Sequence, residues 1–211
     1  MPVEDQNART RTLEAAARLL GSEGPAGLSV RAIAAEAGLS TMGIYHYFGG
    51  KDGIVEALYV DGFQGLEDAL AAVEVTDDPL FDIEQLSLAY ATYARTRPTY
   101  YEIMFSRPVP GFQPSKESLA RAMRSWRVLA DTFVRAEEQG LLTISAADAA
   151  LLIWSSGHGI LMLQLAGNAL AGDDTERIVR NGLRTMLPAI SVEGAYTPSA
   201  DPGAGLSGAA S

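Results

Sequence analysis

Residues 28–54 read LSVRAIAAEAGLSTMGIYHYFGGKDGI. Val30, Ile33, Ala34 and Ala37 recur at helical spacing and make one apolar stripe. Ser29 stands just before the stripe, where a hydroxyl caps free backbone N–H groups. Gly38 follows it, because glycine takes the left-handed helix-ending conformation most cheaply. Ser40 or Thr41 is a second capping residue, so a second helix is expected over Thr41–Phe48, stopped by Gly49-Gly50. Two short helices joined through a glycine turn are the pattern of a helix-turn-helix, whose second helix enters the DNA major groove. Spacing alone equally allows an ordinary corner between two helices of a bundle.

The residues around this stretch narrow the choice. Leu13-Glu14-Ala15-Ala16-Ala17-Arg18-Leu19-Leu20 is followed by Gly24, Ser29-Val30-Arg31-Ala32-Ile33-Ala34, Ala37-Gly38, Ser40, Tyr45, Phe48 and Lys51. In that order they resemble the N-terminal part of TetR-family transcription regulators. The resemblance covers residues 8–55 and weakens beyond. It implies an all-α chain with a three-helix DNA-binding head. It also implies a larger helical domain that binds a small effector and forms a homodimer. Trp154 with His158-Gly159 further resembles a C-terminal module, of Trp-His-Gly type, found in a subset of that family.

The chain has 211 residues, a net charge of −10, 47% apolar residues and no cysteine. A packed core is therefore expected, and disulfides and thiolate chemistry are excluded. There is no run of about 20 apolar residues and no apolar leader, so a cytoplasmic protein with no membrane partner is expected. The acidic balance argues at first against nucleic acid. Residues 1–55 are nearly neutral, however: Arg9, Arg11, Arg18, Arg31 and Lys51 stand against Glu4, Asp5, Glu14, Glu23, Glu36 and Asp52. Arg9, Arg11, Arg31 and Lys51 are a candidate phosphate-attracting patch.

About nine helices are expected: three in the head and about six behind it. The expected organisation is a flexible lead over 1–7, a head over 8–55, a helical effector and dimer domain over 56–190, and a disordered Gly/Ala/Ser/Pro tail over 191–211. A long helix from Asp52 to Val73 contains Gly62 and Gly65, which suit close packing or a softened lever. The helix beginning at Lys116 is expected to bury Leu119, Met123, Trp126, Ala130 and Phe133. Residues 146–170 are apolar nearly all round and expected to be buried on most sides. Asp173 and Glu176 open a last helix that Pro188 closes. Residues 146–170 and 174–187 are the candidate dimer interface.

A recognition helix presents its first residues to base edges. Thr41, Met42, Gly43, Tyr45, His46 and Tyr47 are therefore the candidate DNA contacts. Thr41 and Met42 offer methyl groups, and Tyr45 and Tyr47 offer hydroxyls. Ser29, Arg31, Ser40 and Lys51 are expected to position the DNA backbone. By the resemblance, Tyr45 and Lys51 match phosphate-contacting or motif-shaping positions, and Phe48 matches a core anchor. Tyr47 departs from the family pattern, where His is frequent, and so does Met42-Gly43. The partner is then a pseudo-palindromic double-stranded operator read by a symmetric dimer.

Aromatic residues and methionines gather in the middle of the chain. Phe63, Tyr90, Tyr93, Tyr101, Met104, Phe105, Trp126, Phe133, Trp154, His158 and Met162 are candidates for the pocket of an apolar or aromatic effector, and each is also a reasonable core residue. His158, between two glycines, is either a hydrogen-bonded core histidine or a ligand contact. His46 and His158 are the two histidines, and no metalloprotease, phosphate-loop or serine-hydrolase motif is present, so neither an enzyme nor a cofactor is expected. A repressor released by its effector is the reading; a helical scaffold dimer without DNA function is the alternative.

Overall fold

The computed structural model describes residues 3–167 and 174–199. Nine α-helices lie among them: α1 (Val3–Glu23), α2 (Val30–Ala37), α3 (Thr41–Phe48), α4 (Lys51–Ala71), α5 (Pro79–Thr96), α6 (Pro98–Phe105), α7 (Lys116–Glu138), α8 (Ala146–Leu165) and α9 (Thr175–Ile190). No strand is present among these residues; Leu142 and Ser191 make an isolated antiparallel bridge. The all-α expectation holds. By contact, Met1–Asp68 and Tyr93–Trp126 form one compact unit; Ala69–Thr92 and Arg127–Ser211 form the other.

In the first unit, α1, α2 and α3 form the head. Leu13, Ala16 and Leu20 of α1 are buried, as are Ile33, Ala34 and Ala37 of α2, Ile44 of α3, and Ile54, Val55 and Leu58 of α4. Arg18 of α1 pairs with Glu36 of α2 at 2.9 Å on the surface. Pro98 occupies the first turn of α6, where its missing N–H costs nothing, and α6 packs on α1. Thus residues beyond the expected head boundary near 55 return to it. Gly62 and Gly65 are explained by close packing: an added Cβ would lie 2.9 Å from Met104 Sδ at Gly62 and 3.1 Å from Tyr93 Oη at Gly65.

In the second unit, α8 packs on α9. Ser145 caps α8, accepting from Asp148 N at 3.1 Å and donating to the Asp148 carboxylate at 2.7 Å. Asp82, buried on α5, accepts from Thr76 N and from Arg135 Nη1, each at 3.1 Å.

Several expectations are corrected. Residues 3–7 of the expected lead are helical, because no Gly or Pro interrupts the sequence from Val3 to Leu20. α9 runs past Pro188 to Ile190, which is buried and accepts from Thr143 N at 2.9 Å; Asp174 is its cap, and Asp173 lies outside the described residues. α7 keeps only part of its expected face. Phe133 is buried as expected and Trp126 and Ala130 are half-buried, but Leu119 and Met123 are exposed, while Ser118, Ser125, Leu129, Thr132 and Ala136 are buried. α8 is less buried than its composition implies, with Leu151, Leu152 and Leu163 exposed. Residues 191–199 of the expected disordered tail are ordered: Tyr196 and Ser199 bond to the buried Glu84. Residues 200–211 lie outside the described residues.

Candidate functional site

The first unit presents α3. Ser40, in an extended conformation, accepts from Gly43 N at 3.1 Å and caps the helix. Gly49 ends it at φ 70°, a left-handed turn that favours glycine. Ile44 is fully buried and anchors the inner face. Thr41, Met42, Tyr45, His46 and Tyr47 are exposed, Met42 to 79% and Tyr45 to 57%. An exposed methionine and two exposed tyrosines on eight residues form an apolar surface with hydroxyl tips. The Tyr45 ring leans toward Gly50, where an added Cβ would lie 3.4 Å from Cε1. His46 and Tyr47 rings meet edge to face at 5.1 Å.

The expected backbone-positioning residues fall around α3 with different freedom. Ser29 is exposed and caps α2 through Ala32 N at 3.1 Å. Arg31 is exposed. Lys51 is half-buried, with Nζ 3.4 Å from the Pro25 carbonyl, so it ties the turn before α2 to the start of α4. Arg9 reaches Asp61 at 3.6 Å. Gly53 bears on the seating of α3 and is a position that the sequence reading passed over. A Cβ there would lie 1.7 Å from the Phe48 carbonyl oxygen, so the end of α3 seats directly on α4. Its sequence signal is a glycine in the first turn of a long helix.

The second unit contains a cavity of about 40 Å³. Leu86, Leu129, Ile153, Leu161, Val179 and Leu183 make its apolar wall, and Tyr90, Trp154 and Ser156 bring polar atoms. Beside it, Trp154 Nε1 donates to Tyr90 Oη at 3.2 Å, and Tyr90 Oη lies 3.1 Å from His158 Nδ1. The His158 ring stacks on Trp154 at 4.9 Å. An indole N–H only donates, so the phenol oxygen accepts from Trp154. Burial pushes the His158 imidazole below its ordinary pKa, favouring the neutral form.

The expected pocket residues separate between the units. Tyr90 and Trp154 line this cavity, and His158 lies beside them, within hydrogen-bond distance of Tyr90 and stacked on Trp154. Met162 is half-buried on α8, and Phe133 is fully buried on α7. Phe63, Tyr93, Tyr101, Met104, Phe105 and Trp126 belong to the first unit. There Phe63 stacks edge-on with Phe105, which packs on Tyr101 at 4.8 Å. Tyr93 Oη donates to the Gly62 carbonyl at 2.6 Å.

Residues 13–58 match the sequence pattern of bacterial regulatory proteins of the tetR family, and residues 83–186 match a tetracyclin repressor-like C-terminal domain. The chain belongs to the TetR family. HTH-type transcriptional regulators Rv1816 of Mycobacterium tuberculosis and Mb1846 of Mycobacterium bovis are each 28% identical over 118 residues, which is 54% of this chain and 50% of theirs. The chain thus spans about half the length of the curated relatives it matches. Among solved structures, the putative regulatory protein SCO4313 is 26% identical, with a TM-score of 0.73 over 89% of this chain and 99% of that one. The TetR regulator PfmR from Thermus thermophilus shares the fold, with a TM-score of 0.69 at 24% identity over 84% of this chain and 97% of that one. TetR-family proteins are transcriptional regulators, not enzymes.

Proposed function

We propose that this TetR-family chain binds an operator as a homodimer and represses transcription until a small apolar effector releases it. The observation that carries this reading is α3: a helix capped at both ends, anchored by Ile44, that turns Thr41, Met42, Tyr45, His46 and Tyr47 to solvent. Apolar and phenolic side chains exposed on a surface helix are explained by a groove that covers them. Ser29, Arg31, Ser40 and Lys51 surround it as phosphate-facing residues.

The dimer reading rests on α8. It is apolar enough to cross a membrane by composition and length, yet only 28% of its most apolar window is buried within the chain. Exposed Leu151, Leu152 and Leu163 are covered economically by a second copy of the same surface. Two heads would then address half-sites about 34–36 Å apart. α4 starts at Lys51 beside α3, and its Leu70 lines the cavity, so one helix carries both a head residue and a cavity residue. An effector acts here through unequal affinity for the operator-bound and released states.

Mobility shift of the purified protein on its own upstream region tests this. Saturable, sequence-selective binding that falls with salt is expected, and Met42→Ala with Tyr45→Ala should abolish it without changing the circular dichroism of the protein. Equal binding to random DNA, or none to duplexes selected from a random pool, removes the operator reading in favour of a scaffold dimer.

A further inference from the structure

The cavity of the second unit, about 40 Å³, is lined by two glycines that packing does not explain. Gly157 of α8 and Gly182 of α9 both line it, and both lie inside helices. Glycine is a poor helix former, and one kept inside a helix ordinarily makes room for a neighbour. Gly62 and Gly65 do so, as their short distances to Met104 and Tyr93 show. At Gly157 and Gly182 an added Cβ would meet nothing within 4 Å. These two glycines preserve empty space.

The space is apolar. Among the described residues, no Asp, Glu, Lys, Arg or His lines it. Its volume of about 40 Å³ exceeds the roughly 10–15 Å³ that admits a single water. A carboxylate or ammonium placed there would meet no counter-charge, and burying an unpaired ion is strongly unfavourable. Its remaining polar lining is uncharged and belongs to Tyr90, Trp154 and Ser156. Ser87 also lines the wall, but its hydroxyl donates back to the Ile83 carbonyl at 2.8 Å. Met186 on α9 is half-buried, and its flexible thioether gives the wall room to yield.

We infer that this cavity is the site of a small, uncharged, mainly apolar molecule with a single hydrogen-bonding group, and that Gly157 and Gly182 set its size. The inference rests on the effector reading above and gives that effector a chemical class. A free acid, an amine or a phosphorylated compound is disfavoured there; an uncharged hydroxyl-bearing short chain suits it, and a ring enters as the Met186 wall yields.

Benzyl alcohol, benzoate and benzylammonium share one ring and differ in charge. Isothermal titration of the full chain at pH 7.5 should give saturable binding of benzyl alcohol, with the two ions at least tenfold weaker. The double variant Gly157→Ala/Gly182→Ala should melt at or above the parent temperature, since alanine favours helix and meets no clash, yet bind benzyl alcohol at least tenfold more weakly. Equal binding of the ions, no binding of any probe, or unchanged binding by the folded double variant overturns the inference. If the double variant fails to fold, the explanation of the two glycines as spacers falls with it, and the three probes on the parent still decide the charge class. Mobility shift on the same sample separates the two readings. Probe binding without any DNA shift keeps the cavity and removes the regulator; a DNA shift without probe binding does the reverse.

Discussion

Ser199 bonds both oxygens of Glu84: its hydroxyl donates to Oε1 at 2.6 Å and its backbone N–H to Oε2 at 3.1 Å. Tyr196 adds a third donor at 2.9 Å, and Arg180 approaches Oε1 at 3.3 Å. Glu84 is fully buried, so these groups replace its water. Arg180 also donates to Ser199 Oγ, and Arg184 to the Ser199 carbonyl, each at 2.8 Å. The segment after α9 is therefore part of the second unit's polar core. Glu84→Ala removes the fully buried carboxylate that Arg180 pairs with and should cost about 3 kcal/mol. Ending the chain after Gly194 removes three donors to Glu84 and should destabilise by a similar amount. Urea denaturation of both variants checks this; unchanged midpoints would make the segment an ornament.

Gly53 invites a sharper test at the head. The Phe48 carbonyl occupies the place where a Cβ would stand, and that atom is backbone, which cannot swing aside. Gly53→Ala should therefore lower stability by about 2 kcal/mol or more and displace α3 from its seat on α4. Operator affinity should fall more than tenfold, a loss that added stabilising osmolyte does not restore. A variant with native affinity in a mobility shift would show that α3 tolerates the displacement.

The parts of this fold that were legible in the sequence are those fixed by neighbours. Ser29, Gly38, Ser40 and Gly49 act on N–H and C=O groups within a few residues, so the ends of α2 and α3 follow from local order. The tail was illegible because its anchor, Glu84, lies 115 positions from Ser199. The buried face of α7 was misread for a different reason. Ser125 and Thr132 satisfy their hydroxyls on carbonyls of their own helix, at Ala122 and Val128, each at 2.9 Å, so polar side chains could turn inward. Leu119 and Met123 then faced solvent. Aromatic content marked pocket candidates but carried no address: Phe63, Tyr101 and Phe105 stack together in the first unit, whereas Tyr90 and Trp154 reach the cavity of the second.

His158 makes the second unit sensitive to acid. Its imidazole titrates below the ordinary value of 6.5 because burial disfavours the charged form. The unfolded chain therefore takes up a proton before the folded one does. The stabilising contribution is fully present above pH 6.5 and is lost as pH falls from there through the folded value. His158 Nδ1 lies 3.1 Å from Tyr90 Oη, so the charge would also be felt at that contact. Thermal melts should fall between pH 7 and pH 5 more steeply for the parent than for His158→Gln. Parallel curves would assign the acid sensitivity to other groups.

The charges of the head set how DNA binding responds to salt. Arg18 is paired with Glu36 and Arg9 with Asp61, while Lys51 leans on the Pro25 carbonyl. Among the described residues of the head, Arg11 and Arg31 are the exposed cations outside any ion pair. Two per head make four in a dimer. At about −0.9 per phosphate neutralised, the slope of log K against log salt should be about −4, and about −5 if both Lys51 side chains also engage. Arg31→Ala should lower affinity for all sequences alike and flatten the slope by about 2, one unit per head. Met42→Ala should leave the slope unchanged and reduce discrimination between operator and random duplex, because the exposed thioether carries no charge to neutralise a phosphate. A slope near −10, or an effect of Met42→Ala on salt dependence, would mean that groups outside this head supply the phosphate contacts.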